Sequence, residues 1–470
     1  MNMPENVLLI HWHDLGRHLA CYGAEGVESP TMDALAEDGI RFTNAHSTAP
    51  LCSPARGSLF TGRYPHSNGL VGLAHHGFAY HDDVQTLPQV LGDNGWRTAL
   101  FGMQHEASDP TRLGFDELDV SDSDCDYVVA QSQQWLGDLA SDPDRGSTPF
   151  LLTAGFFQTH RPYPPDEYKH ADPETIVVPD FLPDARPVRE DLAGLHGSIT
   201  KADAAVGRLL DTVAELGLDR TTWVVFVTDH GLAFPRAKST LYSEGTGVAL
   251  IIRPPSARNI TPYVYDDLFS GVDLTPTVLE LVGVDVPDAV EGFSHADPIA
   301  AGEIASVRTE VFTEKTYHDD FDPIRAVRTD RFSYIENYAS RPALSLPLDI
   351  RDSPSARALD GSQDLPRAPR ELYDLITDPL ELNNLIDDPG LSDVVADLSE
   401  RLTRWRTTTG DTLPAETEGN SIAHDFLTRH QRRPDQVDVD HADRSLPARG
   451  TQADERELRN VPPRHPGHSH

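Results

Sequence analysis

The segment 51–62 (LCSPARGSLFTG) places a single cysteine at the predicted start of a helix. Ser53 is a favourable N-cap and Pro54 suits the first helical position, so the helix is predicted to begin just after Cys52 and to stop at the final glycine. The free N–H groups and positive dipole end of a helix bind tetrahedral oxyanions. Arg56, about one turn along, could add a fixed charge. The segment therefore predicts an anion site beside Cys52, with simple packing of a lone cysteine as the alternative.

Polar side chains follow four apolar runs, at the point where each run ends. The runs are residues 6–12, 98–102, 150–157 and 223–228, and the residues that follow include His13-Asp14, Gln104-His105, Gln158-Thr159-His160 and Asp229-His230. Helical patterns are predicted at roughly 31–38, 86–94, 198–217 and 275–282. Apolar runs of this kind, alternating with helices, are typical of a parallel sheet buried on both faces. Ligands bind beyond the carboxyl ends of such strands, so the four run ends predict one shared site.

Metal binding is one chemistry that these residues could perform. The four candidate ligands are His13, Asp14, Asp229 and His230. Their carboxylate oxygens and imidazole nitrogens suit a divalent cation. An ordinary turn is the alternative for Asp229-His230, because aspartate and the glycine that follows are common turn formers.

Proton transfer and anion binding are the other chemistries. His105 and His160 are candidate acid–base groups, although a hydrogen-bonded core histidine is the common role of an isolated histidine. Lys238 lies nine residues after Asp229 and is one of four lysines in the chain. Its rarity favours a functional role. His75, His76 and His318 could also reach a ligand, but surface histidines are common.

The composition is strongly acidic, with 75 acidic and 39 basic residues and a formal net charge of −36. Long apolar runs between about residues 6 and 285 argue against disorder as the cause there. Acid excess with few lysines fits a salt-rich cytosol, where screening reduces self-repulsion. We therefore expect a protein from a halophile whose surface repels nucleic acid and anionic membranes.

The cysteines and the first residues of the chain indicate the cellular compartment of the protein. Cys21, Cys52 and Cys125 leave one thiol over from any disulfide pairing. The first residues lack a basic segment followed by a cleavable apolar core, and no stretch reaches transmembrane length. We expect a reduced, cytoplasmic protein. The sequence does not give its oligomeric state.

Taken together, these residues resemble the sulfatases of the alkaline phosphatase superfamily over roughly residues 5–400. The segment 51–62 is similar to the motif whose cysteine is converted to formylglycine, an aldehyde, and residues 62–66 (GRYPH) continue it. The turn at 229–231 (DHG) is similar to the metal-binding turn of the family. Residues 238–245 (KSTLYSEG) resemble the lysine-containing stretch that contacts sulfate.

The C-terminal part also resembles this family. Residues 371–375 (ELYDL) look like the end of its smaller subdomain, and residues 316–318 and 325–329 look most like the heparan N-sulfatase branch. The resemblance implies an α/β fold with a large mixed, mainly parallel sheet sandwiched by helices, followed by a smaller α+β subdomain. We predict a catalytic domain at 1–300 and the subdomain at 301–410. Residues 340–368 are predicted to form a loop, and 411–470 a polar, disordered tail.

The resemblance further implies a mechanism. Cys52, converted to formylglycine by a dedicated maturation enzyme, would be hydrated and attack the sulfur of a small sulfated sugar or glycan. One divalent metal held by Asp14, Asp229 and His230, with the group at position 52 as a further ligand, would activate this group. Lys238, Arg56 and the helix N-terminus would stabilise the developing charge. His160 would protonate the leaving alcohol or amine, and His105 would take the proton that lets the aldehyde re-form.

Two positions depart from the family pattern. His13 stands where relatives have a second aspartate, so either it binds the metal or it turns away. The resemblance implies Ca²⁺, whereas an imidazole favours Mn²⁺ or Zn²⁺. Met103 stands where relatives have a sulfate-binding lysine. Arg17 or Arg161 could supply the missing charge.

Three functions are consistent with these residues. The first is hydrolysis of a sulfate ester or sulfamate, without a choice between O- and N-sulfate. The second is hydrolysis of a phosphonate or phosphate ester, because the metal site of this superfamily accepts either tetrahedral centre. The third is a non-catalytic binding protein in which Cys52 stays a thiol.

Overall fold

Residues 5–141 and 148–431 are described by the structure, which is a computed structural model. Its strands are β1 (Asn6–Trp12), β2 (Ile40–Phe42), β3 (Ala45–His46), β4 (Arg97–Gly102), β5 (Glu117–Asp119), β6 (Phe150–Gly155), β7 (Thr222–Thr228), β8 (Leu250–Arg253), β9 (Tyr263–Tyr265), β10 (Phe269–Ser270), β11 (Val311–Tyr317), β12 (Phe321–Arg328), β13 (Phe332–Asn337) and β14 (Arg370–Asp374). Its α-helices are α1 (Pro30–Glu37), α2 (Cys52–Thr61), α3 (Pro65–Asn68), α4 (Leu87–Asp93), α5 (Cys125–Ser141), α6 (Arg186–Glu215), α7 (Ser243–Thr246), α8 (Leu274–Leu281), α9 (Ala296–Ala301), α10 (Leu348–Arg351), α11 (Pro354–Arg357), α12 (Ser392–Thr409) and α13 (Glu416–Gln431).

The large sheet has eight strands in the order β5-β4-β6-β1-β7-β8-β2-β9. Pairing is parallel from β5 to β7, antiparallel on both sides of β8, and parallel again between β2 and β9. The four apolar runs of the sequence correspond to β1, β4, β6 and β7. The predicted fold class, a mixed and mainly parallel sheet between helices, is confirmed.

Helices cover both faces of this sheet. Alternate side chains of a strand point to opposite faces, so Leu8 and Ile10 of β1 join the core beneath α1, α5 and α6, whereas Val7 and Leu9 join the core beneath α2, α4 and α8. Burial of the central strands on both faces explains their continuous apolar sequence. The sheet is therefore a rigid platform whose strand ends are fixed relative to one another.

The helix α6 is longer than predicted. It begins at Arg186, twelve residues before the predicted start at 198. Its first turns are polar and contain two glycines, which obscure the helical period in the sequence.

The C-terminal region contains a four-stranded antiparallel sheet in the order β11-β12-β13-β14. The helix α12 packs against it through Leu398, Leu402 and Trp405. This sheet lies within residues 301–410, which we propose as the smaller subdomain. The predicted loop at 340–368 contains two short helices, α10 and α11.

Part of the predicted disordered tail is helical, which corrects that expectation for residues 416–431. The helix α13 has a weak apolar pattern, but Ala423 is buried against Tyr317 and Phe321. A tertiary contact thus orders a segment whose own sequence is mostly polar. The remaining predicted tail, 432–470, lies outside the described residues. Within the described ranges, no helix is both long and apolar enough to cross a bilayer.

Gly102, at the end of β4, is expected to be intolerant of a side chain. Its φ is +87°, and a Cβ would lie 2.3 Å from the carbonyl oxygen of Gly155. We predict that Gly102→Ala lowers the free energy of unfolding by about 2–4 kcal/mol, because strain and a backbone clash combine. Urea denaturation measures this change.

Gly137 provides the control, because a Cβ there meets nothing within 4 Å and the residue lies inside α5. Gly137→Ala should raise stability by about 0.5–1 kcal/mol through helix propensity. Equal effects of the two substitutions would contradict this account of β4.

Candidate active site

The ends of β1 and β7 place two buried aspartates side by side. The two strands pair in parallel up to Trp12 and Thr228, so Asp14 and Asp229 emerge at the same edge of the sheet. Asp229 Oδ1 accepts hydrogen bonds from the backbone N–H groups of Asp14 and His230, each at 2.9 Å. Asp14 has a φ of +51°, which is unusual for a non-glycine residue and is found most often at functional sites.

Both aspartates are negatively charged. Burial would raise the pKa of Asp14, but nearby Lys238 and two histidines outweigh burial and hold this pKa well below its ordinary value. The pKa of Asp229 is likewise held well below its usual range, because His230 and Arg56 outweigh burial. Two carboxylates that are buried next to each other require compensating cations.

His230 directs its Nε2 at Asp14 and Cys52. Its Nδ1 lies 3.0 Å from the carbonyl oxygen of Gly231, which can only accept, so Nδ1 carries a proton. Nε2 faces Asp14 Oδ1 at 3.0 Å and Cys52 Sγ at 3.3 Å. A carboxylate oxygen, an imidazole nitrogen and a sulfur atom therefore meet at this point. The glycine is required here, because a Cβ on Gly231 would lie 1.8 Å from the carbonyl oxygen of Glu244.

His13 faces the aspartates rather than turning away. Its Nδ1 lies 3.1 Å from Asp229 Oδ2, yet the geometry gives neither ring nitrogen a hydrogen bond within the described structure. Burial lowers the pKa of His13 to about 3, so the ring is neutral and can ligate a cation. Ligand atoms of His13, Asp14, Cys52 and Asp229 all lie within 4.8 Å of one another. The donor set and the unpartnered ring therefore fit a metal ion.

Cys52 is the first residue of α2. The N-cap is Leu51 and makes no side-chain cap, so the prediction of Ser53 as the N-cap and Pro54 as the first helical residue is wrong by two residues. Ser53 instead accepts a hydrogen bond from the N–H of Ala74 at 3.0 Å. Pro54 remains within the first turn, where no N–H donor is needed. The consequence is that Cys52 itself sits at the positive end of the helix.

Arg56 contacts the site through Asp229. Its Nε donates to Asp229 Oδ2 at 3.1 Å and its Nη1 lies 2.7 Å from His11 Nδ1. His11 carries no signal of a functional site in the sequence, because it lies inside an apolar strand. The remaining nitrogen, Nη2, is buried and has no partner among the described residues. Arg56 thus positions a candidate metal ligand and keeps one donor for an anion.

Lys238 bridges two carboxylates. Its Nζ lies 2.8 Å from Asp14 Oδ2 and 2.7 Å from Asp349 Oδ2. Asp349 belongs to α10, in the segment that the sequence predicted as a loop, and no pattern in the sequence singles it out. Its side chain is 18% exposed, whereas Asp14 is fully buried. Asp349 therefore lies at the solvent side of the site.

The two predicted acid–base histidines both lie close to His13. His160 Nε2 is 3.4 Å from Asp14 Oδ2, and the His160 and His13 rings are 5.4 Å apart. The His105 ring is 6.1 Å from the His13 ring, and its Nε2 is 2.8 Å from His75 Nδ1. Burial and neighbouring His75 lower the pKa of His105 well below its ordinary value.

Neither arginine considered for the missing charge is arranged to replace it. Met103 is buried and brings no charge. Arg161 pairs with both carboxylate oxygens of Asp191 at 2.7 Å, and its Nε donates to the carbonyl oxygen of Ala233. Arg17 donates to the carbonyl oxygen of Thr43 and lines a separate cavity of about 500 Å³. The expected compensation by Arg161 is therefore wrong.

The comparison with protein families decides the assignment. The sulfatase family matches residues 5–284, which is more than half of the chain, and the N-sulphoglucosamine sulphohydrolase C-terminal family matches residues 230–358. The chain belongs to the sulfatase family. The predicted enzyme class, a hydrolase of sulfuric ester or S–N bonds, is confirmed.

Individual relatives agree with this assignment. Human N-sulphoglucosamine sulphohydrolase is 27% identical over 462 residues, which cover 87% of this chain and 91% of that protein. The structure of BT4656 in complex with its substrate D-glucosamine-2-N,6-O-disulfate has a TM-score of 0.67 at 18% identity, covering 87% and 99% of the two chains. The phosphonate monoester hydrolase of Agrobacterium radiobacter has a TM-score of 0.65 at 19% identity, covering 86% and 96%. The two structural likenesses show the fold alone.

The imidazole of His13 should set the metal preference of this sulfatase. Mn²⁺ should bind more tightly than Ca²⁺ to the protein with an unmodified Cys52, and His13→Asp should raise Ca²⁺ affinity about tenfold, because carboxylate suits Ca²⁺ better than imidazole. Calorimetric titration of the metal-free protein measures both affinities.

The control is His81→Asp, which adds the same charge at an exposed position. It should leave both affinities unchanged. Unaltered Ca²⁺ binding by His13→Asp would show that His13 is not a ligand.

Proposed function

We propose that this sulfatase hydrolyses a sulfate ester or sulfamate on a small sugar or glycan, using a formylglycine derived from Cys52 and one divalent metal. The position of Cys52 carries the proposal. Its Sγ lies 3.3 Å from His230 Nε2 and 3.8 Å from Asp14 Oδ1, at the N-terminus of α2. The likeness to human N-sulphoglucosamine sulphohydrolase supports a sulfated sugar as substrate.

The unmodified thiol is unsuited to this chemistry. Burial raises the pKa of Cys52 well above its ordinary value, despite the nearby Lys238. A protonated thiol is a weak nucleophile, so the side chain needs conversion. We propose a formylglycine-generating enzyme as the maturation partner. The hydrated aldehyde supplies an oxygen nucleophile and a carbonyl that can re-form, and the metal supplies Lewis acidity.

The surrounding residues bind and orient the substrate. An ammonium group has three N–H donors, and Lys238 uses two of them on Asp14 and Asp349, which leaves one for a sulfuryl oxygen. The N–H groups at the start of α2 and the unpartnered Nη2 of Arg56 add further donors. The five proposed metal ligands are His13, Asp14, Asp229, His230 and the group at position 52.

Two histidines move protons. The Nδ1 of His160 faces the carbonyl oxygen of Arg161, so this nitrogen carries a proton and Nε2 is the one directed at the site. Asp14, 3.4 Å away, stabilises a protonated ring that can donate to the leaving oxygen or nitrogen. His105 takes the proton from the group at position 52.

Conversion of Cys52 tests the proposal directly. The protein should be produced with a formylglycine-generating enzyme, and the peptide that contains residue 52 should be analysed by mass spectrometry, where an aldehyde is lighter than a thiol. We expect turnover of an aryl sulfate at high salt only from the converted protein, and a loss of at least about 10³-fold for Cys52→Ala.

Cys21→Ala is the matched control, because Cys21 lies outside the site and should be dispensable. Faster turnover of phenylphosphonate than of aryl sulfate would favour the phosphonate hydrolase instead. A converted protein with no turnover of either substrate would favour a non-catalytic role.

Asp349 should weaken anion binding by neutralising Lys238. Asp349→Asn should tighten binding of inorganic sulfate about fivefold, because the charge that it removes acts over a short, partly buried distance worth about 1 kcal/mol. Thermal stability as a function of sulfate concentration measures the affinity. Asp352→Asn changes an exposed carboxylate in the same segment and should have no effect; equal shifts for both variants would refute the role of Asp349.

We also propose that the acidic surface adapts the protein to a salt-rich cytoplasm. The net charge of −36 generates self-repulsion that salt screens. The melting temperature should therefore rise as KCl increases from about 0.1 M to about 1 M, where the Debye length falls from about 10 Å to about 3 Å. A melting temperature that falls over this range would contradict the proposal.

A further inference from the structure

His75 forms a hydrogen bond with His105, and the mechanism proposed above gives His75 no role. We propose that His75 is a positioning residue that holds His105 with its Nε2 protonated, so that His105 Nδ1 accepts the proton during sulfate release. This inference rests on the proposed function. It gives a purpose to a histidine in a turn that the sequence alone could not separate from an ordinary surface histidine.

The geometry of the two rings is that of a direct N–H···N hydrogen bond. His75 Nδ1 and His105 Nε2 are 2.8 Å apart, the ring planes differ by 6°, and the ring centres are 5.1 Å apart. This centre-to-centre distance is too long for face-to-face stacking at such a short N···N contact. The rings therefore lie edge to edge in nearly one plane, which gives the hydrogen bond its best alignment.

The hydrogen bond leaves only one nitrogen of His105 for chemistry. Nδ1 of His105 is buried and has no hydrogen-bond partner within residues 5–141 and 148–431. If Nε2 donates to His75, Nδ1 keeps a lone pair and can accept a proton. The opposite tautomer would bury an N–H group without an acceptor, which is the rarer and costlier arrangement.

The turn that carries His75 is fixed relative to Cys52. The N–H of Ala74 donates to Ser53 Oγ at 3.0 Å, and the carbonyl oxygen of Ala74 accepts from Ser108 Oγ at 2.8 Å. Leu73, the preceding residue, packs against Cys52. The turn that carries His75 is thus anchored both to the start of α2 and to the segment that follows His105.

The proton transfer balances without a further reactant. His105 Nδ1 takes the proton from the free hydroxyl of the sulfated group at position 52. The O–H electron pair forms the carbonyl, the carbon–oxygen bond to the sulfate breaks, and sulfate leaves with the electron pair of that bond. The Nε2–H bond of His105 stays intact, and the hydrogen bond to His75 spreads the new positive charge. The same logic operates wherever a third group orients a catalytic imidazole by accepting from its far nitrogen. Here the third group is the imidazole of His75, which is neutral when it accepts this hydrogen bond. Met103 in the same site is also uncharged.

Two substitutions at position 75 separate hydrogen bonding from bulk. His75→Leu removes the acceptor, whereas His75→Asn places its Oδ1 where Nδ1 was. With equal formylglycine content, His75→Leu should lower kcat for an aryl sulfate about 10²-fold and leave KM within about twofold, and His75→Asn should keep kcat within about tenfold. Equal losses in both variants, or a loss confined to KM, would overturn the proposal.

A second measurement does not depend on turnover. In the protein with unmodified Cys52, labelled with ¹⁵N-histidine, the nitrogen shifts of His105 report which nitrogen carries the proton; the signals are assigned with His105→Gln. We expect Nε2 protonated in the native protein and in His75→Asn, with loss of this single tautomer in His75→Leu. A native His105 protonated on Nδ1 would refute the role of His75. Absence of sulfatase activity in the converted native protein would instead refute the proposed function and leave the tautomer result standing.

Discussion

Two buried carboxylates at the ends of neighbouring parallel strands impose the constraint on which the site depends. Asp14 and Asp229 share one edge of the sheet, and neither is solvated. Like charges so close in a low-dielectric interior are tolerated only with cations or strong donors nearby. Arg56 serves Asp229 and Lys238 serves Asp14, so the two basic residues have separate partners. A metal ion bound by both aspartates would meet the same requirement.

The other elements of the fold bring these partners in from distant parts of the chain. The helix α2 supplies both Cys52 and Arg56, and the segment after β7 supplies His230 and Lys238. The C-terminal region is tied to the helix α3 by a second buried ionic cluster. In it, His66 lies 2.7 Å from Glu314 and Arg325 lies 2.7 Å from Asp411. Such clusters are sensitive to the loss of any one member, because the partner left behind is then buried and uncompensated.

The site contains several histidines in addition to its carboxylates. His13, His105 and His160 lie together, because the His105 and His160 rings are each close to the His13 ring. Burial keeps His13 and His105 neutral, so they offer lone pairs rather than charge. The positive charge that binds an anion must then come from Lys238, from the helix terminus and from any bound metal. Asp349 pairs with Lys238 and is the more exposed of the two carboxylates that contact it.

The sequence by itself determined the sheet and the residues at its strand ends. Long apolar runs predict β1, β4, β6 and β7, because a strand that is buried on both faces needs apolar side chains on both. The local order of residues around Cys52 predicted a helix whose start is correct to within two residues. Both signals come from residues that lie close together in the sequence, so they can be recognised without the tertiary structure.

Only the tertiary structure decided which distant residues complete the site. Asp349 contacts Lys238 across 111 positions, and Arg56 contacts Asp229 across 173. The pairing of His75 with His105 and the ordering of α13 are of the same kind. No periodicity or turn signal marks such residues, because each owes its place to packing against an element elsewhere in the chain. The residues that neighbour a side chain in the sequence determine whether it lies in a helix, a strand or a loop. The residues that it contacts in the site are determined by how the helices and strands pack.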